Sequence, residues 1–182
     1  RLFADFYTSI FRGTPLLIQL SIIYFASPYL IGIKFTVFMA GAISFSLNSG
    51  AYVSEVIRAG INAVDKGQME AARSLGLSYG QTMKSVILPQ AIKNILPALG
   101  NEFVTVIKES SIVSVIGVSE IMFNAQVVQG ASFDPFTPLL VAAVLYFILT
   151  FTFYSVCVYI RERPRCTQIE TDTNQIAKLE LG

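Results

Sequence analysis

The sequence predicts an all-α integral membrane protein, and three observations carry that expectation. Hydrophobic residues make up 53% of the 182, and charged residues only 14%, against roughly a quarter in soluble domains. Three stretches carry no charge at all: Pro15–Ile33 (19 residues), Phe35–Ser54 (20) and Pro135–Ile160 (26). Each is long enough to cross about 30 Å of hydrocarbon as a helix. A fourth stretch, Ala98–Ser119, is apolar but interrupted by Glu102, Lys108 and Glu109. A soluble chain of this length has too little polar sequence to cover such cores, so four crossings are expected.

Four crossings put both ends on one side, and the basic residues choose it. Arg1, Arg12, Arg58, Lys66, Arg73, Lys84, Lys93, Arg161, Arg163, Arg165 and Lys178 share that side, which is 11 of the 13 Lys and Arg residues. Only Lys34 falls opposite, and Lys108 lies within a span. The positive-inside rule makes the crowded side cytoplasmic, and Arg161, Arg163 and Arg165 are read as topology determinants.

Composition also excludes function classes. A net charge of +1 gives no argument for nucleic acid, and no basic run interleaves with aromatics. The chain has no histidine, which removes imidazole metal sites and histidine bases. Cys157 and Cys166 both fall on the cytoplasmic side, where a disulfide is not expected. No catalytic constellation supports a membrane enzyme.

In chain order, RLFADFYTSIFRG (1–13) is a polar, amphipathic run, expected to continue from an upstream segment. Thr14 and Pro15 read as an N-cap and first helical residue of the first span, which ends near Ser27-Pro28 or a little later. A loop around Gly32–Lys34 leads to the second span, expected to end near Glu55–Arg58. After the polar stretch Asn62–Gln68, Pro89 and Pro97 bracket a short connecting helix ahead of the third span. Asp134, Pro135 and Pro138 mark the start of the last span, and Pro164 in RERPR is expected to stop it. The tail Cys166–Gly182 reads as a partly ordered or disordered end.

The most informative stretch is Glu70–Pro89, a folded polar insert between spans. Asp65 with Gln68, and Ser78 with Gln81, have capping-box spacing. They predict one helix from about Lys66 to Leu75, a left-handed C′ residue at Gly76, and a second helix from about Tyr79 to Leu88 that cannot pass Pro89 cleanly. Met69, Ala72 and Gly76 fall at i, i+3, i+7, a small-residue face flanked by Glu70 and Arg73. Either an ordinary surface hairpin or a docking surface for a cytoplasmic protein fits that pattern.

The pattern Glu70-Ala71-Ala72, with Gly76 four positions after Ala72 and Leu88-Pro89 beyond it, resembles the EAA loop of ABC-importer permeases. Val86 stands where that family usually has isoleucine. FRGTPLLIQL (11–20), SLNSGAYVSEVIRAGI (46–61) and LPALGNEFVTVIKESSIVSVIGVSE (96–120) resemble its polar amino-acid branch. The resemblance covers roughly residues 6–163. It implies a MetI-like type I importer permease bundle, with a transmembrane domain over 1–163, a coupling loop over about 62–97 and a cytoplasmic tail over 164–182. Such permeases usually have five spans, so the first is expected to lie upstream of Arg1.

The resemblance further implies a non-catalytic subunit of the bacterial inner membrane, with its EAA loop and C-terminus cytoplasmic. It would bind no cofactor itself. Its partners would be cytoplasmic ABC ATPases that use ATP and Mg, a second permease subunit, an extracytoplasmic substrate-binding protein or domain, and membrane lipid. The absence of a G-x-x-x-x-G-K-[ST] motif agrees. Met69, Glu70, Ala71, Ala72, Arg73, Gly76, Leu88 and Pro89 are the candidate ATPase-coupling residues.

Two polar stripes bear on what is carried. Glu102, Thr105 and Glu109 fall at i, i+3, i+7, extended by Ser110 and Ser111. Gly41, Ser44, Asn48, Ala51 and Glu55 form another. An ionised residue at a helix centre costs about 2.5–3.5 kcal/mol on insertion scales, so these groups should face protein or water. The alternatives are helix packing through small residues and hydrogen bonds, which is favoured for Glu55, and a substrate cavity. In the second reading Glu102 and Glu109 accept an ammonium while Asn48, Thr105 and Ser110 serve a carboxylate. Lys108 is expected to neutralise Glu109 or an acid of another chain. Tyr24, Tyr29 and Tyr146 read as interfacial or packing aromatics. The rival functions are import of another small solute, opine-like or cystine-like, and a membrane anchor for an ATPase with no pathway.

Overall fold

The computed structural model describes the backbone of residues 2–180 and the side chains of residues 2–159. Every regular element among them is helical. In order these are α1 (Leu2–Gly13), α2 (Leu16–Ser21), a π turn (Ile22–Ala26) and α3 (Ser27–Leu30). Next come α4 (Val37–Asn62), α5 (Lys66–Ser74), α6 (Tyr79–Thr82), a second π turn (Met83–Ile87) and α7 (Leu88–Glu109). A 3₁₀ segment (Ser110–Ile116), α8 (Ile121–Ser132) and α9 (Thr137–Glu180) complete the chain.

Two apolar clusters organise the bundle. At one end Val64, Ile87, Ala91 and Ile95 are buried, with Val56, Ile61, Met69, Met83, Val86 and Leu99 packed around them. This cluster joins the end of α4 and α5 to the start of α7. At the other end Leu20, Ala40 and Ile116 are buried among Ile23, Tyr24, Phe35, Val37, Ile112, Val113 and Val118. There the first apolar helix, α4 and the 3₁₀ segment meet. Helix α9 packs on α7 with Phe103 and Phe153 edge-on at 5.5 Å, and leaves Val141, Val144, Phe147, Ile148 and Phe151 exposed.

Four uninterrupted apolar helices are not what forms. Among the described residues only Thr137–Tyr159 is by itself long and apolar enough to cross a membrane. Two other pairs qualify only when joined across a bend: Leu2–Gly13 with Leu16–Leu30 at 101°, and Tyr79–Ile116 with Ile121–Ser132 at 49°. Helix α4 has 26 residues, but its buried Ser44 and Asn48, with Ser46, Ser49 and Ser54, dilute its apolar character. The third stretch breaks at Gly117, which takes φ 86°.

Several expected helix ends also move. Helix α4 runs past Glu55–Arg58 to Asn62 because those charges are satisfied on the helix: Arg58 pairs with Glu55 at 3.5 Å and with Asp5 of α1 at 3.2 Å. The second hairpin helix passes both Pro89 and Pro97, and Tyr79–Ile116 is one unbroken helix. A proline removes one backbone donor and crowds the carbonyl four residues before it. The wider π turn at Met83–Ile87, directly ahead of Pro89, relieves that crowding. Helix α9 likewise continues through Pro164 into the tail expected to be partly ordered or disordered, since a proline weakens a helix without always ending it. The side chains of Arg161, Arg163, Arg165, Cys166 and Lys178 lie outside the described residues.

Thr14 does not cap the first span. Its hydroxyl donates 2.8 Å back to the Ile10 carbonyl, closing α1. Pro15 occupies the extended N-cap position of α2 with no side-chain cap.

Candidate functional site

The insert folds as the two-helix hairpin its caps predict. Asp65 accepts the Gly67 N–H at 2.7 Å to open α5. Ser78 and Gln81 form a complete capping box at α6: the Ser78 N–H donates to Gln81 Oε1 at 3.0 Å, and the Gln81 N–H to Ser78 Oγ at 3.4 Å. Between them the chain closes as a Schellman motif. The Leu77 N–H donates to the Ala72 carbonyl at 3.2 Å and the Gly76 N–H to that of Arg73 at 3.0 Å, with Gly76 at φ 87°. An L side chain rarely adopts that backbone, so glycine is required there. The Gln68 side chain does not return to Asp65; it accepts from Gln90 Nε2 at 3.3 Å and ties α5 to the start of α7.

The hairpin presents a different face from the one its spacing suggested. Ala72 is buried and Met69 packs inward on the Val64–Ile95 cluster, so the chain itself covers two of the three residues expected to meet a partner. The cause is the return of the chain at Met83–Ile87, which needs small and soft apolar residues beneath it. Glu70, Ala71, Arg73 and Gly76 point outward, as do Leu88 and Pro89. Leu75, 84% exposed, and Tyr79 stand beside them. Helical spacing did not single out Leu75, because it belongs to the turn.

The polar stripes divide. Asn48 is buried, and its amide donates to the Phe11 carbonyl and to Gln19 Oε1, both at 3.1 Å. Gln19, also buried, donates through Nε2 to the Phe11 and Thr14 carbonyls at 2.9 and 3.0 Å. Both Asn48 donors are thus spent within the chain, joining α4 to the elbow between α1 and α2. Ser44 donates to the Ala40 carbonyl at 2.7 Å, and Glu55 pairs with Arg12 at 3.7 Å.

On α7 the hydroxyls are likewise engaged. Thr105 donates to the Asn101 carbonyl at 3.1 Å and Ser110 to that of Ile107 at 2.7 Å. Their protons are therefore not free for a ligand carboxylate. Glu102 and Glu109 remain, partly buried and without an ion pair among the described residues. Lys108 is exposed and does not neutralise Glu109. Adjacent residues on a helix do not share a face, so their sequence proximity brings no contact.

Sequence reasoning missed one polar contact at the far end of this helix. Tyr146 of α9, read as a packing aromatic, donates to Glu120 Oε2 at 2.6 Å. Glu120 also accepts the Met122 and Phe123 N–H groups at 2.7 and 2.6 Å, capping α8. No three His, Cys, Asp or Glu residues cluster as a metal site among the described residues.

Comparison with known proteins places the chain in a family. Residues 1–165 match the binding-protein-dependent transport system inner membrane component family. A putative glutamine transport system permease protein of Rickettsia bellii is 71% identical over 149 residues, covering 82% of this chain and 68% of that protein. The arginine transport system permease protein ArtQ of Bacillus subtilis is 54% identical over 146 residues, covering 80% and 67%. The crystal structure of an amino acid ABC transporter with histidines aligns with a TM-score of 0.84 at 48% identity, over 89% of this chain and 75% of that one. An inward-facing MetNI methionine ABC transporter aligns with a TM-score of 0.70 over 86% and 71%, and at 18% identity it shows the fold alone. The chain therefore belongs to the family of binding-protein-dependent transport system inner membrane components, the importer permeases that its Glu70–Pro89 hairpin resembles.

Proposed function

We propose that the chain is the membrane permease subunit of an ATP-driven importer of polar amino acids. A substrate-binding protein delivers the amino acid, and a separate ATPase, using ATP and Mg, docks on the Glu70–Pro89 hairpin from the cytoplasm. A second permease subunit completes the pathway. The relatives named for glutamine and arginine transport support a polar amino acid as cargo.

One observation carries the reading: the helix Tyr79–Ile116 runs unbroken from the hairpin to Glu102 and Glu109. Tyr79 and Glu102 are about 35 Å apart along such a helix. A push on Glu70, Arg73 and Leu75 is transmitted along a rigid element, because the Val64–Ile95 cluster fixes the hairpin to the bases of both α4 and α7. The two acids have no ion-pair partner among the described residues and suit the ammonium of a zwitterion or a cationic side chain.

The test is reconstitution of the subunit with its ATPase and binding protein in liposomes, followed by uptake of a labelled amino-acid panel. ATP-dependent accumulation of glutamine, arginine or a similar polar amino acid is expected. ATP hydrolysis without uptake of any panel member would favour a membrane anchor instead.

A further inference from the structure

We propose that α1 lies in the plane of the membrane and binds the phospholipid surface through the face formed by Leu2, Phe3, Phe6 and Ile10. At 3.6 residues per turn these four positions fall within about 100° of arc. All four are exposed, Leu2 by 89% and Phe3 by 84%. The opposite side of α1 is held by α4: the Tyr7 hydroxyl donates to the Leu47 carbonyl, Arg12 lies 5.5 Å from the Tyr52 ring centroid, and Asp5 and Arg12 pair with Arg58 and Glu55. The charged groups of the helix are therefore turned to protein, and its large apolar side chains are not.

Direction selects the occupant. Helix α1 makes 101° with Leu16–Leu30. With that apolar helix crossing the bilayer, α1 runs along the bilayer surface. The crossing helix likewise exposes Leu17, Ile18, Ile22 and Phe25. An amphipathic helix in that position gains by burying its apolar face at the headgroup–acyl boundary. Because α1 is tied by two ion pairs to the stretch of α4 that leads into the hairpin, the lipid-bound helix fixes that end of α4 at a set depth.

The test uses the assembled transporter in nanodiscs of phosphatidylethanolamine and phosphatidylglycerol, with Cys157 and Cys166 replaced by serine. Spin labels are placed singly at Phe3 and Phe6. At Phe3 and Phe6, collisions with oxygen are expected to exceed those with a water-soluble nickel complex several-fold. Dominant nickel collisions at Phe3 and Phe6 would place the face in water and overturn the proposal. Low collision rates with both reagents would mean that protein covers it, a second copy or another segment, and would overturn it equally.

Discussion

The Asn48 amide donates to Gln19 Oε1 across 3.1 Å, joining residues 29 apart in sequence and from different helices. Both side chains also donate to the Phe11 carbonyl, near the end of α1. A carbonyl in the last turn of a helix has no partner within that helix, and here two amides supply donors. The 101° elbow between α1 and the first apolar helix is therefore satisfied by side chains.

Replacing either member leaves the other buried and partly unpaired. Asn48→Ala is expected to cost about 1–3 kcal/mol, the usual penalty for an orphaned buried polar group. Gln19→Ala should cost a similar amount. The double variant should lose less than the sum, with coupling of about 0.5–3 kcal/mol. Thermal unfolding of the four proteins in one detergent measures this, and strict additivity would refute the pairing.

Gly76 closes the hairpin at φ 87°, with open space where a Cβ would point. Substitution therefore strains the backbone without a clash, by about 1–2 kcal/mol. Transport is expected to fall in the order Gly, Asn, Ala, Val, since asparagine tolerates the left-handed region best after glycine. Gly76→Asp should remain folded and lose coupling between ATP hydrolysis and uptake. Equal uptake by all variants at equal expression would remove the hairpin from the drive mechanism.

At Gly60 the constraint is steric. A Cβ there would overlap Ile95 Cγ1 where α4 crosses α7. Gly60→Ala is expected to destabilise by about 1–3 kcal/mol. Ile95→Ala removes the overlapped atom, so the double variant should be more stable than the two single losses predict. Chemical denaturation of the single and double variants checks the interaction.

Glu102→Gln and Glu109→Gln should preserve folding, because neither carboxylate is in an ion pair among the described residues. If the acids hold a cationic group, each variant should reduce arginine uptake at least as much as glutamine uptake. Unchanged rate and preference in both would make the stripe structural.

Asp134, in the loop before α9, is held below the usual carboxylate range by hydrogen bonds from the Thr137 side chain and from the Phe136 and Thr137 N–H groups. A depressed folded pKa contributes stability that is present above the unfolded value, about 3.9. That stability is lost as pH falls through the folded value. Wild type should therefore be more stable than Asp134→Ala at pH 5–7, with the gap closing below about pH 4. Melting curves of both proteins across this range test it; a gap independent of pH would show that the carboxylate charge is not involved.

Much of the hairpin was legible because its signals are local. Ser78 and Gln81 lie within one turn, and Gly76 follows the last residues of α5, so caps and turn chemistry acted as their spacing implied. The prolines were harder. Pro89 and Pro97 argue locally for helix ends, yet the five-residue π turn at Met83–Ile87 let one helix continue. The stripe at Asn48 read equally well as packing or as a cavity, because the acceptors of its amide, Gln19 and Phe11, are remote in sequence. Tyr146 and Glu120 were separated in the same way, by 26 residues.

By itself the sequence determined the helical class, the apolar stretches, the two hairpin helices and the glycine between them, since each depends on composition or on residues within a few positions. Only the tertiary structure decided which side of the hairpin is free. It turned Met69 and Ala72 inward and left Glu70, Arg73 and Leu75 outward. It also spent the Asn48 donors at the elbow and left Glu102 and Glu109 without an ion pair among the described residues. Periodicity says which residues share a face; what covers that face is set by chain returning from elsewhere.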